Sequence, residues 1–101
     1  MRIIEKKIWP HMFDNDMRLN YDWRIASFPL DVGDRIRYRE WNPDDADYTG
    51  MEYTKTVIRF VKTSYEELMK GELCPLDEDP IKYWSMEDME RLGLYVMWFK
   101  D

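Results

Sequence analysis

A lone cysteine, Cys74, leaves no intrachain disulfide to form, and the reading that follows is a reducing, cytoplasmic setting. One histidine, His11, beside that one cysteine cannot assemble the usual four-ligand zinc centre, so no metal is expected. Apolar runs stay far short of the ~20 residues a membrane span requires, and "MRIIEKKIWP" lacks the apolar stretch and cleavage motif of a signal peptide. Four glycines and five prolines are too few for a low-complexity linker, and no repeat divides the chain. Residues 1–101 therefore read as one domain.

What the chain has in abundance is aromatic surface. Five Trp and seven Tyr lie within 101 residues, and hydrophobic residues reach 45%, enough for a packed core. Charge is divided unevenly. Residues 1–41 hold eight Lys or Arg against seven acids, whereas residues 42–101 hold seven against fourteen. The acids of the second half alternate with Trp, Tyr, Met and Leu, which marks a folded acidic face. Overall acidity (net charge −6) disfavours generic nucleic-acid binding, because that affinity comes from neutralising phosphates. A local basic site or a basic protein partner stays open.

Local signals predict the order β-α-β-β-β-α-α-β. "RIIEKKI" reads as a strand, and Pro10 suits the first turn of the helix "HMFDNDM". "NYDWRIA" is a second strand and "FPLDVGD" a turn. Residues 34–41 form a third strand, "NPDDADYTG" a hairpin loop, and "EYTKTVIRFVK" the returning strand. Ser64 with Glu67, and Ser85 further on, stand where helix caps belong; Gly71 and Gly93 stop those helices. "ELCPLDEDPIKYW" between them reads as a long loop. "LYVMWFK" closes the chain as a strand apolar on both faces: Tyr95, Met97 and Phe99 on one, Leu94, Val96 and Trp98 on the other. Left uncovered, the second face would be a protein-binding patch. Placed at an edge, the strand would invite weak dimerisation of an otherwise monomeric protein.

The stretch "VGDRIRYREW" carries the main candidates. Strand alternation puts Arg35, Arg37 and Arg39 on one face, in line with Trp41, and Ile36, Tyr38 and Glu40 on the other. The arginine row suits phosphates, and Trp41 suits base stacking. Equally, the row is a solvated outer face whose arginines pair with Glu52 or with the acids at 77–79. An inward Glu40 needs a partner. Arg24 is the expected one, either as a structural ion pair fixing register or as part of a pocket floor formed by Asp22, Arg24 and Glu40.

Trp9-Pro10, Val32-Gly33-Asp34, Arg39-Glu40-Trp41 and Tyr48-Thr49-Gly50, in that order, resemble the ASCH-like branch of the PUA-like superfamily, in particular a small bacterial and phage family. The resemblance covers about the first sixty residues and the final aromatic strand. It implies an α+β fold, a small PUA-like mixed β-barrel with two or three short helices, and a phage or mobile-element origin. It also implies recognition of RNA or a nucleotide through Asp22, Arg24, Arg35, Arg37, Arg39, Glu40 and Trp41. One branch of the superfamily hydrolyses the amide of N4-acetylcytidine with a Lys, a hydroxyl residue and a carboxylate. Here Leu19 falls where that Lys belongs, and Asp22 stands for the Glu while Arg24 keeps the Arg. The adjacent Arg18 cannot give up a proton to serve instead. The expectation is thus a non-catalytic module with no cofactor. The alternatives are an acidic protein that binds a host nucleic-acid-handling protein, through Asp77, Glu78 and Asp79, or a residual hydrolase.

Overall fold

The computed structural model describes residues 1–100. Five strands and three short helices alternate along the chain: β1 (Ile3–Ile8), α1 (Pro10–Met17), β2 (Tyr21–Ile25), β3 (Arg35–Asn42), β4 (Asp47–Thr63), α2 (Tyr65–Met69), α3 (Met86–Leu92) and β5 (Leu94–Lys100). A 3-10 turn, Pro80–Lys82, interrupts the long loop before α3. The strands form one mixed sheet in the order β1-β3-β4-β5-β2. Only β1 and β3 run parallel.

The sheet is organised by its longest strand. β4 spans 17 residues; its first half pairs with β3 and its second half with β5. Register shifts lie between Arg39 and Trp41 in β3 and between Val57 and Arg59 in β4. Irregularities of this kind add twist and bend to a strand pair. The ladder is open, with β1 and β2 as its edges, so backbone pairing does not complete the expected barrel.

Two packed layers follow from strand alternation. Ile36, Tyr38, Val57, Met97 and Phe99 point to one face, where Ile8, Phe13 and Leu30 complete a core beneath α1. Leu94 and Val96 point to the other, against Leu68 of α2, Met89 of α3 and Cys74. The division of β5 into two apolar faces is as its sequence predicts. Both faces are covered, because α2 and α3 close the second, and no patch is left there for a partner. β5 also lies between β4 and β2 rather than at an edge, so both sides of its backbone are engaged within the sheet. Its neighbours therefore remove the edge pairing on which weak dimerisation was expected.

Local signals act where they were expected. Ser64 Oγ accepts from the Glu67 amide at 3.2 Å, and Ser85 Oγ from the Asp88 amide at 3.1 Å. Gly93 ends α3 at φ +78°, where a Cβ would lie 3.0 Å from Lys62 Cε and 3.3 Å from the Thr63 carbonyl oxygen. The hairpin is tighter than its composition suggested: β3 runs to Asn42 and β4 begins at Asp47, because Trp41 still pairs with Tyr48.

The Val32-Gly33-Asp34 turn is a structural lock. Asp34, 2% exposed, accepts from the Arg2 amide at 3.0 Å and the Asp31 amide at 2.9 Å, and pairs with Arg2 Nε at 3.1 Å. Burial alone would raise its pKa. The two backbone donors and the Arg2 charge outweigh it and hold the carboxyl below its ordinary value. Gly33, at φ +97°, lets its amide reach the Val57 carbonyl at 2.8 Å. The turn thereby ties the start of β1 to the middle of β4.

Candidate functional site

The gap between the two edge strands holds a cavity of about 560 Å³. Its walls come from Lys7 and Ile8 of β1, Met12, Asn15 and Asp16 of α1, Tyr21–Arg24 of β2, and Asp77, Glu78, Tyr83 and Trp84 of the long loop. That volume lies within the ~300–1,000 Å³ typical of small-molecule sites.

The floor is built on the concave face of β2. Alternation turns Asp22 and Arg24 toward the core side of the sheet and Tyr21 and Trp23 to the other. Arg24 Nε lies 3.0 Å from Asp22 Oδ2, and the Tyr38 hydroxyl donates to the same oxygen at 2.6 Å. The Arg24 guanidinium also sits 5.4 Å from the centre of the Tyr38 ring. Burial opposes the charge on Arg24, but Asp22 and Tyr38 prevail and hold its pKa above the usual value. Burial, followed by the negative charge of Asp22, pushes the Tyr38 hydroxyl well up, so it stays a donor. Lys6 approaches from β1 with its ammonium 3.8 Å from the Phe28 ring centre. Burial, then repulsion from Arg24, lowers its pKa.

Aromatic rings line the upper part. Trp23 and Trp84 meet edge-on with centroids 5.9 Å apart; Tyr83 lies 6.3 Å from Trp23, 5.7 Å from Trp84 and 6.4 Å from Trp9. Tyr83 is fixed by donating its hydroxyl to Glu78 Oε2, and that bond holds the Glu78 carboxyl below its ordinary pKa. Asp16 behaves oppositely. Partial burial, with the Asp22 carboxylate nearby, raises it from 3.8 to about 6.

The expected ligand residues therefore separate into two places. Asp22 and Arg24 share the cavity, as anticipated. Glu40 does not join them, and Arg24 is not its partner: on β3 it is Tyr38 that reaches Asp22 and Arg24, while Glu40 turns to the β4 side. Glu40 instead accepts from the Thr49 hydroxyl at 2.7 Å, across the β3–β4 hairpin. Arg37 and Arg39 lie on the outer face, where Glu5 of β1 and Glu52 of β4 alternate with them. Arg37 reaches Glu5 at 3.2 Å and Glu52 at 3.9 Å, and Arg39 reaches them at 3.6 and 3.8 Å. Pairing with Glu52 was one of the two expectations for this row. The acids at 77–79 lie elsewhere: Asp77 and Glu78 line the cavity, and Asp79 caps the 3-10 turn and accepts from the Tyr65 hydroxyl. Arg35 is exposed at the start of β3. Trp41 is half-buried, with Lys7 3.8 Å from its ring centre and Tyr48 packed edge-on at 5.0 Å.

Sequence reasoning missed Trp9, Asp16, Trp23, Tyr83 and Trp84 as a group. Their convergence depends on β2 and the loop before α3 meeting across the sheet edge, and no local spacing encodes that. The aromatic content of "KYW" was the only signal. Leu19, which the resemblance set against the hydrolase Lys, is part of the cavity wall. Among the described residues no His, Cys, Asp and Glu cluster could hold a metal ion, and no helix is long and apolar enough to cross a membrane.

No family model matches the sequence, and no curated protein does. The fold itself is shared: the crystal structure of hypothetical protein PH0355 superposes with a TM-score of 0.68, covering 99% of this chain and 98% of that one at 12% identity. At that identity the likeness establishes an architecture common to the two chains and nothing of their chemistry.

Proposed function

We propose that the protein is a non-catalytic recognition module of the ASCH-like, PUA-like type, its curled sheet left open at the β1–β2 seam. It takes the base of a nucleotide or of an RNA into the seam. The observation that carries this reading is the cavity between the edge strands. It has aromatic walls for a flat ring and, at its floor, an arginine and a carboxylate held in place by Tyr38. Aromatic faces supply stacking of ~1–3 kcal/mol per base, and a fixed donor–acceptor pair orients the ring edge. Arg37 and Arg39, already countered by two carboxylates, contribute little to such binding.

The test is a titration of intrinsic tryptophan fluorescence with the four ribonucleosides, their monophosphates and a structured RNA at low salt. Saturable quenching that is weakened in Trp9→Ala and lost in Arg24→Met supports the reading. No quenching by any of them overturns it. A second reading, an acidic module for a basic protein, is favoured by one observation: Asp77 and Glu78 stand at the cavity, where a partner's basic side chain would meet them. Loss of partner capture on charge reversal at Asp77 and Glu78, with no response to nucleosides, would select it.

A further inference from the structure

The carboxylates and rings of the seam specify more than a flat ligand. Four acids, Asp16, Asp22, Asp77 and Glu78, line the cavity against two permanent cations, Lys7 and Arg24. Arg24 is spoken for, since Asp22 binds it at 3.0 Å and it faces the Tyr38 ring on the core side. Lys7 places its ammonium 3.8 Å from the Trp41 ring centre, on the outer face of the sheet. What is left facing the cavity is Asp16 on α1 and Asp77 on the loop, since Glu78 is taken up by the Tyr83 hydroxyl and, at 3.5 Å, by Lys82; three indoles and two phenols stand around them. Ring faces attract cations through their quadrupole, most strongly indoles shielded from water. The protein's own cation–ring contacts among the described residues fall on Phe28, Trp41, Tyr38, Tyr48 and Trp98. The four rings Trp9, Trp23, Tyr83 and Trp84 are not among them.

A phosphate is poorly served here. It would enter beside Asp77 and Glu78, with no unpaired arginine to receive it. A flat cation meets every feature: aromatic faces on its sides and carboxylates at its edge. Resting on the base-recognition reading above, we infer that the seam selects a positively charged nucleobase, one quaternised by ring N-methylation, over its neutral parent.

The experiment is calorimetric titration of the whole chain at pH 7 with 1-methyladenosine against adenosine, and with 3-methylcytidine against cytidine. In each pair the methylated base carries a positive charge. The expected result is about tenfold or more tighter binding of both charged nucleosides, the equivalent of ~1.4 kcal/mol. Asp16→Asn and Asp77→Asn, each checked for fold by circular dichroism, should each bring the ratio toward unity. Equal binding within both pairs overturns this inference and leaves base recognition standing. Binding of none of the four overturns both. A preference that survives both Asn variants overturns it as well, because the carboxylates would not be its source.

Discussion

The Tyr38 hydroxyl donates to Asp22 Oδ2 at 2.6 Å, joining β3 to β2 although two strands separate them in the sheet. A contact between strands so placed exists only because the sheet curls. The bond is therefore a measure of curvature as well as the anchor of the cavity floor. Without it Asp22 Oδ2 would keep Arg24 while Oδ1 still accepts from the Trp23 amide, and β2 would rest on β5 and on the helix-side core alone.

Tyr38→Phe removes this donor and nothing else. Hydrogen bonds to charged groups contribute ~1.5–3 kcal/mol, so the expected loss of unfolding free energy in urea is about 2 kcal/mol. Nucleoside affinity should fall alongside it, because Asp22 and Arg24 lose their reference position. Retention of full stability would show that Arg24 and the Trp23 amide suffice to hold Asp22.

Asp34→Asn attacks the Val-Gly-Asp lock. The side chain is buried and serves two backbone amides and Arg2, and loss of these charge-assisted bonds is expected to cost ~1–3 kcal/mol. The native pKa lies below the ordinary 3.8, so the stability the carboxylate contributes is complete above that value and disappears as pH falls through the native pKa. Thermal melts of wild type and variant should differ at pH 7 and converge at strongly acid pH.

Asp16→Asn acts with the opposite sign. Its native pKa is raised from 3.8 to about 6, so the folded state holds the extra proton between those values and stability contributed by the protonated form is lost as pH rises through 6. The neutral Asn avoids that loss. After allowance for solvent screening of a half-buried group, the gain at pH 8 is about 1 kcal/mol, or roughly 4–8 °C in Tm, and it vanishes below pH 4. A flat pH profile for the difference would exclude the burial and the Asp22 repulsion that together raise Asp16.

Glu5→Gln with Glu52→Gln tests the outer face. Each partly exposed ion pair contributes only ~0.2–1 kcal/mol, so the double variant should unfold with a small penalty. It leaves Arg37 and Arg39 without their carboxylates, however. RNA binding by fluorescence anisotropy should then appear or strengthen at low salt and fade as salt rises. Unchanged RNA binding would mean that the arginine row is not a latent phosphate site.

The elements themselves were legible because their causes are local. Alternation in β3 and β5, the serines ahead of α2 and α3, and Pro10 at the first turn of α1 each act within a few residues. Partnerships across the sheet were not. Glu40 was paired with Arg24 on the assumption that their strands are neighbours, whereas β2 joins the opposite edge and the curl of the sheet brings Tyr38, not Glu40, to Arg24. The alternation that put Glu40 inward fails at the register shift between Arg39 and Trp41, which leaves its carboxylate half-exposed and facing Thr49. Of the cavity lining, Asp22 and Arg24 were visible as candidate ligand residues. The rest comes from β1, Trp9, α1 and a loop whose acids were read as ion-pair or protein partners and whose aromatics have no periodicity to betray a common target.

The placement of β2 also has a bearing on biosynthesis. Its only partner in the sheet is β5, and Tyr21 sits opposite Trp98. A nascent chain can assemble β1, β3 and most of β4 while the ribosome still holds the remainder, but β2 must wait, solvated and unpaired, until the last strand emerges. The seam therefore forms only once β5 has been made, and a shortened product lacking β5 would present Trp23 and the free edge of β4 together, a sticky species rather than a weaker binder.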